Sequence, residues 1–378
     1  MANVLQPGTG PIHGDAYLRS TPDTVSWGLL PTAADRPVLT VDSGSTVCFD
    51  TVSHEGLLAD QGGDPAAFFG AAGIARNHLL SDARDIAAAL THRPDLTGPH
   101  IVTGPVAVRG ARPGDVLEVE VLSLLRRAPY GVISNRHGRG ALAGEHPIPP
   151  HGWPAGQPVP TVSLVAHVDE DGRGVLPTGD GRHLHFPLAP FLGILGVATA
   201  GDRPHDSVPP GPHGGNLDIR MLTEGARLYL PVQADGALFY TGDPHFSQGD
   251  GEVSLTAFEA PLRATLRLTV HRDEAVRRLA ADLALPFAET ADAHLVLGLD
   301  PDLDTAVRQA TRNAVAFLRA RHGLPPAVAL AYLSAACDVR ISQVVDRVKG
   351  VHFVLPKADL AGLGTGGTDN PRSEGDTA

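Results

Sequence analysis

Glycine and proline interrupt this chain so often before about residue 260 that they restrict its fold. Most of the 43 glycines and 33 prolines lie in that part, where they separate short apolar runs. This distribution of glycine and proline is typical of many short strands joined by turns. Leu117, Val119 and Val121 alternate with Glu118 and Glu120, which predicts a strand with one buried face. We therefore expect a mainly β fold, built as a sandwich or a barrel.

Six segments are the clearest strand candidates. They are Arg36–Val41, Thr46–Thr51, Val116–Leu124, Thr161–Val168, Ala226–Pro231 and Ala264–Val270. The turn at Arg112–Asp115 predicts a hairpin that joins Val116–Leu124 to a preceding strand at Pro105–Arg109.

Alanine- and arginine-rich helical periodicity begins at about residue 272. The predicted elements there are the helices Glu274–Leu285, Thr305–Arg321 and Ala327–Cys337, the last one more buried, and a final strand at Val351–Leu355. Asp304 is placed to cap the second helix and Gly323 to end it. We divide the chain into a β-rich sandwich over residues 1–271, an α/β region packed on it over 272–361, and a disordered tail over 362–378.

Charge and cysteine content limit the partners and the compartment. With 30 basic and 42 acidic residues, the net charge of −12 argues against nucleic acid or an anionic membrane surface as a partner and suits a small neutral substrate.

Cys48 and Cys337 are too few for a disulfide framework or a thiolate zinc site, so we expect two core thiols. The first residues lack the pattern of a secretory signal, and we expect a cytoplasmic protein.

Motifs of covalent hydrolases are missing from the sequence. Gly-x-Ser-x-Gly does not occur, and neither Lys349 nor Lys357 lies in a glycine- and serine-rich loop. His54-Glu55 is not followed by the second histidine of a zinc-binding helix. Histidine and carboxylate side chains therefore remain as the candidates for the chemistry of the site.

The segment Gly242–Glu252 holds the densest set of polar side chains, between two strand-like apolar runs. We expect a hairpin tip. In an extended backbone Asp243 and His245 project to one face, and this pair suits a divalent metal such as zinc. Glu252 could then accept a proton from water. A plain polar turn, with the acids bonded to backbone amides, is the alternative.

Two further groups contain candidate residues. Asn216 and Asp218 alternate onto one face after two glycines, and His54-Glu55 follows a strand, where loops carry function. A surface turn is the alternative for the second pair.

Isolated histidines are weaker signals. His100 is a single histidine, for which a structural role is the alternative to function. The pair His183 and His185 has metal-like spacing, but we interpret it as a hairpin edge.

Short blocks along the whole chain resemble the acetamidase/formamidase family. They include Asp42-Ser-Gly-Ser-Thr-Val47, Thr103-Gly-Pro105, Gly214-Gly-Asn-Leu-Asp218, Gly242-Asp-Pro-His245, Gln248-Gly-Asp-Gly-Glu252 and Gly350-Val-His-Phe-Val-Leu-Pro-Lys357. Ser45 stands where the family has an acidic residue. The resemblance implies hydrolysis of a short amide to a carboxylate and ammonia. It also implies a jelly-roll-like β-sandwich core with a smaller α/β portion, homo-oligomers and a divalent metal.

We assign hypothetical roles on this basis. We expect His54, Asp243 and His245 to hold a divalent metal. Zinc is the expected ion, and calcium is the candidate for a second one. Glu252 is the expected general base, with Glu55 as its rival. Asn216, Asp218 and His100 would orient the amide.

Two other classes of function stay open at this point. One is a metal-dependent lyase or isomerase on a β-sandwich fold. The other is a non-catalytic module that binds a small molecule, since such folds host both.

Overall fold

Strands dominate the computed structural model, which describes residues 4–363. In chain order they are β1 (Ala16–Leu18), β2 (Val25–Trp27), β3 (Leu29–Leu30), β4 (Leu39–Val41), β5 (Ser45–Asp50), β6 (Ile101–Val108), β7 (Val116–Arg126), β8 (Tyr130–Asn135), β9 (Val162–Val168), β10 (Gly174–Pro177), β11 (His183–Phe186), β12 (Phe191–Val197), β13 (His205–Asp206), β14 (Gly214–Asn216), β15 (Arg227–Pro231), β16 (Phe239–Ser247), β17 (Phe258–Glu259), β18 (Leu262–His271), β19 (Phe287–Glu289), β20 (Ala293–Asp300), β21 (Asp338–Gln343) and β22 (Lys349–Pro356). The helices are α1 (Pro65–Ala71), α2 (Ser81–Ala89), α3 (Glu274–Leu283), α4 (Leu303–His322), α5 (Pro326–Ala336) and α6 (Lys357–Leu360). Single 3₁₀ turns lie at Ala59–Gln61, Arg76–His78 and Ala361–Leu363.

Two large sheets share one core. The first has the order β1-β5-β18-β7-β15-β19-β20-β22-β21. The second has the order β11-β10-β9-β8-β17-β16-β12-β14, and β6 joins it beside β16, β2 and β4. Apolar side chains of both sheets, such as Val47, Leu117 and Leu266 from the first and Val106 and Phe239 from the second, form a single buried cluster. The expectation of a mainly β protein is confirmed.

The strand candidates all coincide with observed strands, with ends shifted by a few residues. Leu117, Val119 and Val121 are buried, as their alternation predicts. The predicted hairpin between Pro105–Arg109 and Val116–Leu124 is wrong. β6 pairs with β2, β4 and β16 in the second sheet, whereas β7 pairs with β15 and β18 in the first, so the intervening turn carries the chain from one layer to the other.

The C-terminal strands extend the first sheet, and α3 and α4 pack against it around a second apolar cluster. Asp302, and not Asp304, caps α4, because its carboxylate accepts the Thr305 N–H at 2.8 Å. Gly323 ends this helix with a φ of 67°, as predicted. The division at residue 271 stays a prediction.

The end of the chain departs from expectation at α5, which is less buried than predicted. Val328 is 51% exposed and Leu330 is 52% exposed. Gly362 and Leu363 belong to a 3₁₀ turn, and the rest of the predicted disordered tail lies outside the described residues. Within residues 4–363, no helix is both long enough and apolar enough to cross a bilayer.

Candidate functional site

A cavity of about 700 Å³ has the predicted polar residues at its buried end. The buried residues that line it there are His54, His100, Asn216, Asp243, Glu252, Glu259 and Asp346. They come from both ends of the chain, so the fold brings together groups that are far apart in the sequence. Its outer wall is formed by loops, including the long connection between β8 and β9.

Two imidazoles converge on one carboxylate oxygen of Asp243. His54 Nδ1 lies 3.7 Å and His100 Nε2 lies 3.9 Å from Asp243 Oδ1. The two rings are nearly perpendicular, and all three side chains are buried. Ser207 Oγ lies 2.9 Å from the other ring nitrogen of His100 and fixes the orientation of that ring. Within residues 4–363, neither His54 Nδ1 nor Asp243 Oδ1 has a hydrogen-bond partner.

The second oxygen of Asp243 faces His245. Its Oδ2 lies 3.2 Å from His245 Nε2, which is also 3.0 Å from Glu259 Oε1. Gln248 Oε1 lies 3.1 Å from His245 Nδ1, and the Gln248 amide donates to two backbone carbonyls. His245 is fully buried behind Asp243 and is not among the residues that line the cavity.

Three carboxylates lie side by side next to this cluster. Asp218, Glu252 and Asp346 each offer an oxygen within 4.8 Å of the others. Burial, and then the neighbouring carboxylates, raise the pKa of Glu252 and of Asp346 well above their ordinary values, and burial raises the pKa of Asp218 to about 8. Among the described residues, both oxygens of Asp218 lack a hydrogen-bond partner. Such a cluster needs a proton or a cation between its members.

Glu55 lies behind His54 with both oxygens occupied. It accepts Arg136 Nη1 at 2.8 Å and also contacts the Ser134 hydroxyl and the Gln61 amide. His54 Nε2 is 3.4 Å away. Burial opposes ionisation of Glu55, but His54 and Arg136 hold its pKa at about 2. Glu55 does not line the cavity and is positioned to orient His54.

The imidazoles and Asp243 shift one another's ionisation. Burial opposes the charge on Asp243, yet His100, His245 and His54 hold its pKa well below the ordinary value. Burial lowers the pKa of His100 to about 4. Burial also disfavours protonation of His54, but carboxylates that include Glu55 and Glu259 outweigh it and raise the pKa of His54.

The backbone around these acids is unusual. Asp243 and His245 lie inside β16 in the middle of the second sheet, so their predicted place at a hairpin tip is wrong. Residues 248–252 do lie in the connection to the antiparallel strand β17. Asp218, Asp243 and Glu252 have φ values of 49°, 51° and 46°, a region that costs a non-glycine residue about 1–3 kcal/mol. Strain of this kind persists where the surrounding structure holds a side chain in a required position.

Gly193 on β12 makes room for the acids. A Cβ at this position would lie 2.5 Å from Asp218 Oδ1 and 2.6 Å from Asp243 Oδ2. Glycine therefore permits both carboxylates to approach the strand.

Two residues of the cluster were not predicted from the sequence. Glu259 is an isolated acid in an otherwise apolar run, and this position in the sequence was the signal that could have identified it as a site residue. No local pattern in the sequence connects Asp346 to Asp218. His183 and His185 lie on the exposed strand β11 and line no part of the cavity.

The sequence model described as the Acetamidase/Formamidase family matches residues 192–358, which include Asp218, Asp243 and Glu252. A crystal structure of an acetamidase from Bacillus halodurans covers 92% of this chain and 100% of its own, with a TM-score of 0.69 and 27% identity. The resemblance to the acetamidase/formamidase family is confirmed. The structural match covers a larger share of the chain than the part matched by the sequence model.

Curated relatives of this chain carry names of amidases. An acetamidase of Mycolicibacterium smegmatis is 30% identical over 226 residues, which are 48% of this chain and 53% of that protein. A formamidase of Methylophilus methylotrophus is 30% identical over 221 residues, or 48% of this chain and 52% of that protein. The chain thus matches about half the length of these relatives.

Proposed function

We propose that this chain hydrolyses a carboxamide to a carboxylate and ammonia, with water as the nucleophile. The observation that supports this most strongly is the convergence of His54 and His100 on Asp243 at the buried end of the cavity. The names of the two curated relatives supply the reaction class. A pair of imidazoles with one carboxylate is also the donor set of catalytic zinc sites that leave a position open.

The proposed metal ligands are His54, His100 and Asp243. The unpartnered nitrogen of His54 and oxygen of Asp243 fit this role, and Ser207 orients His100 as outer-shell partners orient metal-bound imidazoles. A divalent cation such as zinc, when bound there, lowers the pKa of a water molecule and polarises a carbonyl. His100 replaces His245 in our ligand set because His245 does not line the cavity.

Glu252 is the proposed general base. It lines the cavity beside the proposed ligands and can accept a proton from the attacking water. Water then adds to the carbonyl carbon, and the same carboxyl group returns the proton to the amide nitrogen as the carbon–nitrogen bond breaks. The products are a carboxylic acid, which ionises, and ammonia. Glu55 is excluded from our proposal because its oxygens are occupied by Arg136, Ser134 and Gln61.

Asn216 is the proposed residue for orienting the amide. It is buried on the cavity wall, and its Oδ1 has no hydrogen-bond partner among the described residues, so it can accept a substrate N–H. Asp218, for which the sequence suggested a similar role, does not line the cavity. Its Oδ1 lies 3.9 Å from His245 Nδ1, and we assign it a positioning role.

A second cation is a finer part of the proposal. Asp218, Glu252 and Asp346 offer only oxygen ligands, which suit a hard cation such as calcium. Calcium at this position would occupy Glu252, and Glu259 would then serve as the base. Glu259 also lines the cavity, and its Oε2 has no hydrogen-bond partner within the described part of the chain.

We also propose a cytoplasmic homo-oligomer with jelly-roll-like strand connectivity. Cys48 and Cys337 are both free, with Cys48 buried and Cys337 half-buried, which suits a reducing compartment. Light scattering coupled to size-exclusion chromatography measures the oligomeric state directly.

Ammonia release from formamide, acetamide, propionamide and a longer amide tests the proposed activity. The purified protein is assayed as isolated, after chelation and after zinc is restored. We expect release that chelation removes and zinc returns. Release that survives complete removal of metal would contradict the metal-assisted mechanism. If no amide is hydrolysed, the lyase and binding-module alternatives take precedence.

A further inference from the structure

The cavity is much larger than a one- or two-carbon amide requires. Its volume of about 700 Å³ lies in the range of about 300–1,000 Å³ that is typical of sites for drug-sized ligands. Formamide or acetamide would occupy only a small part of it beside Asp243 and leave the outer part to water. A larger substrate would displace that water and gain binding energy.

The wall beyond the acidic cluster is largely apolar. Residues on it include Leu58, Pro158, Val159, Leu255, Val344 and Val345. They belong to several separate segments, so they form a wall around the cavity and not a stripe on one element. This lining suits a hydrocarbon or ring body that extends from the reacting amide toward the opening.

Charge changes sign along the cavity. The buried end holds Asp243, Glu252, Glu259 and Asp346. The wall nearer to solvent holds three arginines, which outnumber its one carboxylate, Asp60, among the described residues. An anionic group would therefore be repelled at the buried end and attracted at the outer end.

Arg139 is the arginine of the cavity wall that has no carboxylate partner among the described residues. Arg136 is occupied by Glu55 at 2.8 Å and by Asp60 at 2.7 Å, and Arg347 is paired with Asp206 at 2.9 Å. Arg139 is exposed on the cavity wall and makes no ion pair with any residue between 4 and 363. In a chain of net charge −12, an unpaired arginine at this position is not explained by a general excess of positive charge.

We infer that the substrate is an amide with an apolar body and an anionic group at its far end, and that Arg139 binds that group. This inference rests on the proposed amidase function. In the resulting orientation the amide lies at Asp243 and Asn216, the body contacts the apolar wall, and a carboxylate or a similar anion reaches Arg139. An arginine guanidinium can bind such a group through two hydrogen bonds.

Three substrates and two variants of the full-length, metal-loaded protein test the inference. The substrates are acetamide, hexanamide and the monoamide of hexanedioic acid, which differs from hexanamide by its terminal carboxylate. Arg139→Ala is the test variant. Arg308→Ala is the matched control, because Arg308 is exposed on α4, away from the cavity. Ammonia release gives kcat and KM for each combination.

We expect the highest kcat/KM for the anionic amide and the lowest for acetamide. Arg139→Ala should raise KM for the anionic amide about tenfold or more, as expected for loss of a charge-assisted contact, and leave hexanamide unchanged. Arg308→Ala should change none of these values. The inference is overturned if acetamide is the best substrate, or if Arg139→Ala affects hexanamide and the anionic amide equally. Failure of the proposed function gives a different result, since then no amide releases ammonia.

Discussion

His54 Nδ1 faces Asp243 Oδ1 at 3.7 Å, and within residues 4–363 neither atom has a hydrogen-bond partner. A buried polar atom without a partner costs about 1–3 kcal/mol, so two that face each other support the proposed metal position. Glu55 supports His54 from the other side of the ring at 3.4 Å. This arrangement of a supporting carboxylate, an imidazole and two unpartnered atoms is the basis of the first prediction.

Replacement of His54 or Asp243 by alanine should remove both the metal and the activity. We expect metal content, measured by elemental analysis after gel filtration, to fall in each variant. Turnover should fall by more than about a hundredfold, because even outer-shell changes cost about 10–100-fold. His183→Ala is the control, since this histidine is exposed on β11. Full metal content in the His54 variant would contradict the ligand assignment.

Glu252→Gln and Glu259→Gln distinguish the two candidate bases. Loss of the general base should lower kcat by about 10²–10⁴-fold while the metal is retained. If Glu252 is the base, its variant shows this loss. If calcium occupies Asp218, Glu252 and Asp346, Glu252→Gln instead lowers calcium content and Glu259→Gln lowers kcat. Elemental analysis of both variants separates these outcomes, and near-normal activity in both would exclude both assignments.

Gly193→Ala tests whether the approach of two carboxylates to β12 matters for activity. The added Cβ would overlap Asp218 Oδ1 and Asp243 Oδ2 and displace them. A displacement of about 1 Å can cost about 10²-fold in rate, and we expect a loss of that order. Gly70→Ala on α1 is the control, because a Cβ there meets nothing within 4 Å. Unchanged kcat in Gly193→Ala would show that the acids tolerate displacement.

Local patterns in the sequence predict local features of this fold well. The alternation at Leu117, Val119 and Val121 gives the buried face of β7, and Gly323 gives the end of α4. The same reasoning fails where the chain crosses between layers, because a turn such as Arg112–Asp115 has similar residues whether it joins paired strands or opposite sheets.

The candidate site shows the same division between local and long-range information. The shared face of Asp243 and His245 follows from strand periodicity, and the structure brings the two side chains to 3.2 Å. Periodicity cannot show that Glu259 contacts His245, since that contact depends on the register between β16 and β17. Nor can it show that Asp346 approaches Asp218, because these residues lie on separate segments.

Removal of one partner from a buried ion-pair network away from the cavity should destabilise the fold strongly. Asp50, which is fully buried, accepts Arg263 Nε at 2.7 Å and Nη2 at 3.1 Å, and Arg127 Nε lies 3.4 Å away. Asp50→Asn leaves the buried Arg263 guanidinium without its carboxylate, while Arg127 keeps Asp82 at 2.7 Å. We expect a loss of about 3–5 kcal/mol in the free energy of unfolding. Urea denaturation measures it.

Asp42→Asn is the matched control for this network. Asp42 pairs with Arg109 at 2.8 Å on the surface, where 75% of the Asp42 side chain is exposed, and such pairs contribute little. A loss in Asp50→Asn that is no larger than in Asp42→Asn would contradict the assigned importance of the buried pair.

His352 should make stability depend on pH. It is fully buried on β22, its Nδ1 lies 2.8 Å from Ser342 Oγ, and burial, followed by the nearby Arg340, lowers its pKa to about 3. The unfolded chain binds a proton at this histidine below a pH of about 6.5, whereas the folded chain does not until about pH 3. The free energy of unfolding therefore falls as the pH drops through this interval, and His352 accounts for about 2 kcal/mol of the loss between about pH 7 and pH 5.

Urea denaturation of the native protein and of His352→Gln at both pH values measures this difference, with His183→Gln as the control for an exposed histidine. An equal loss of stability in all three proteins would show that His352 is protonated in the folded state at pH 5.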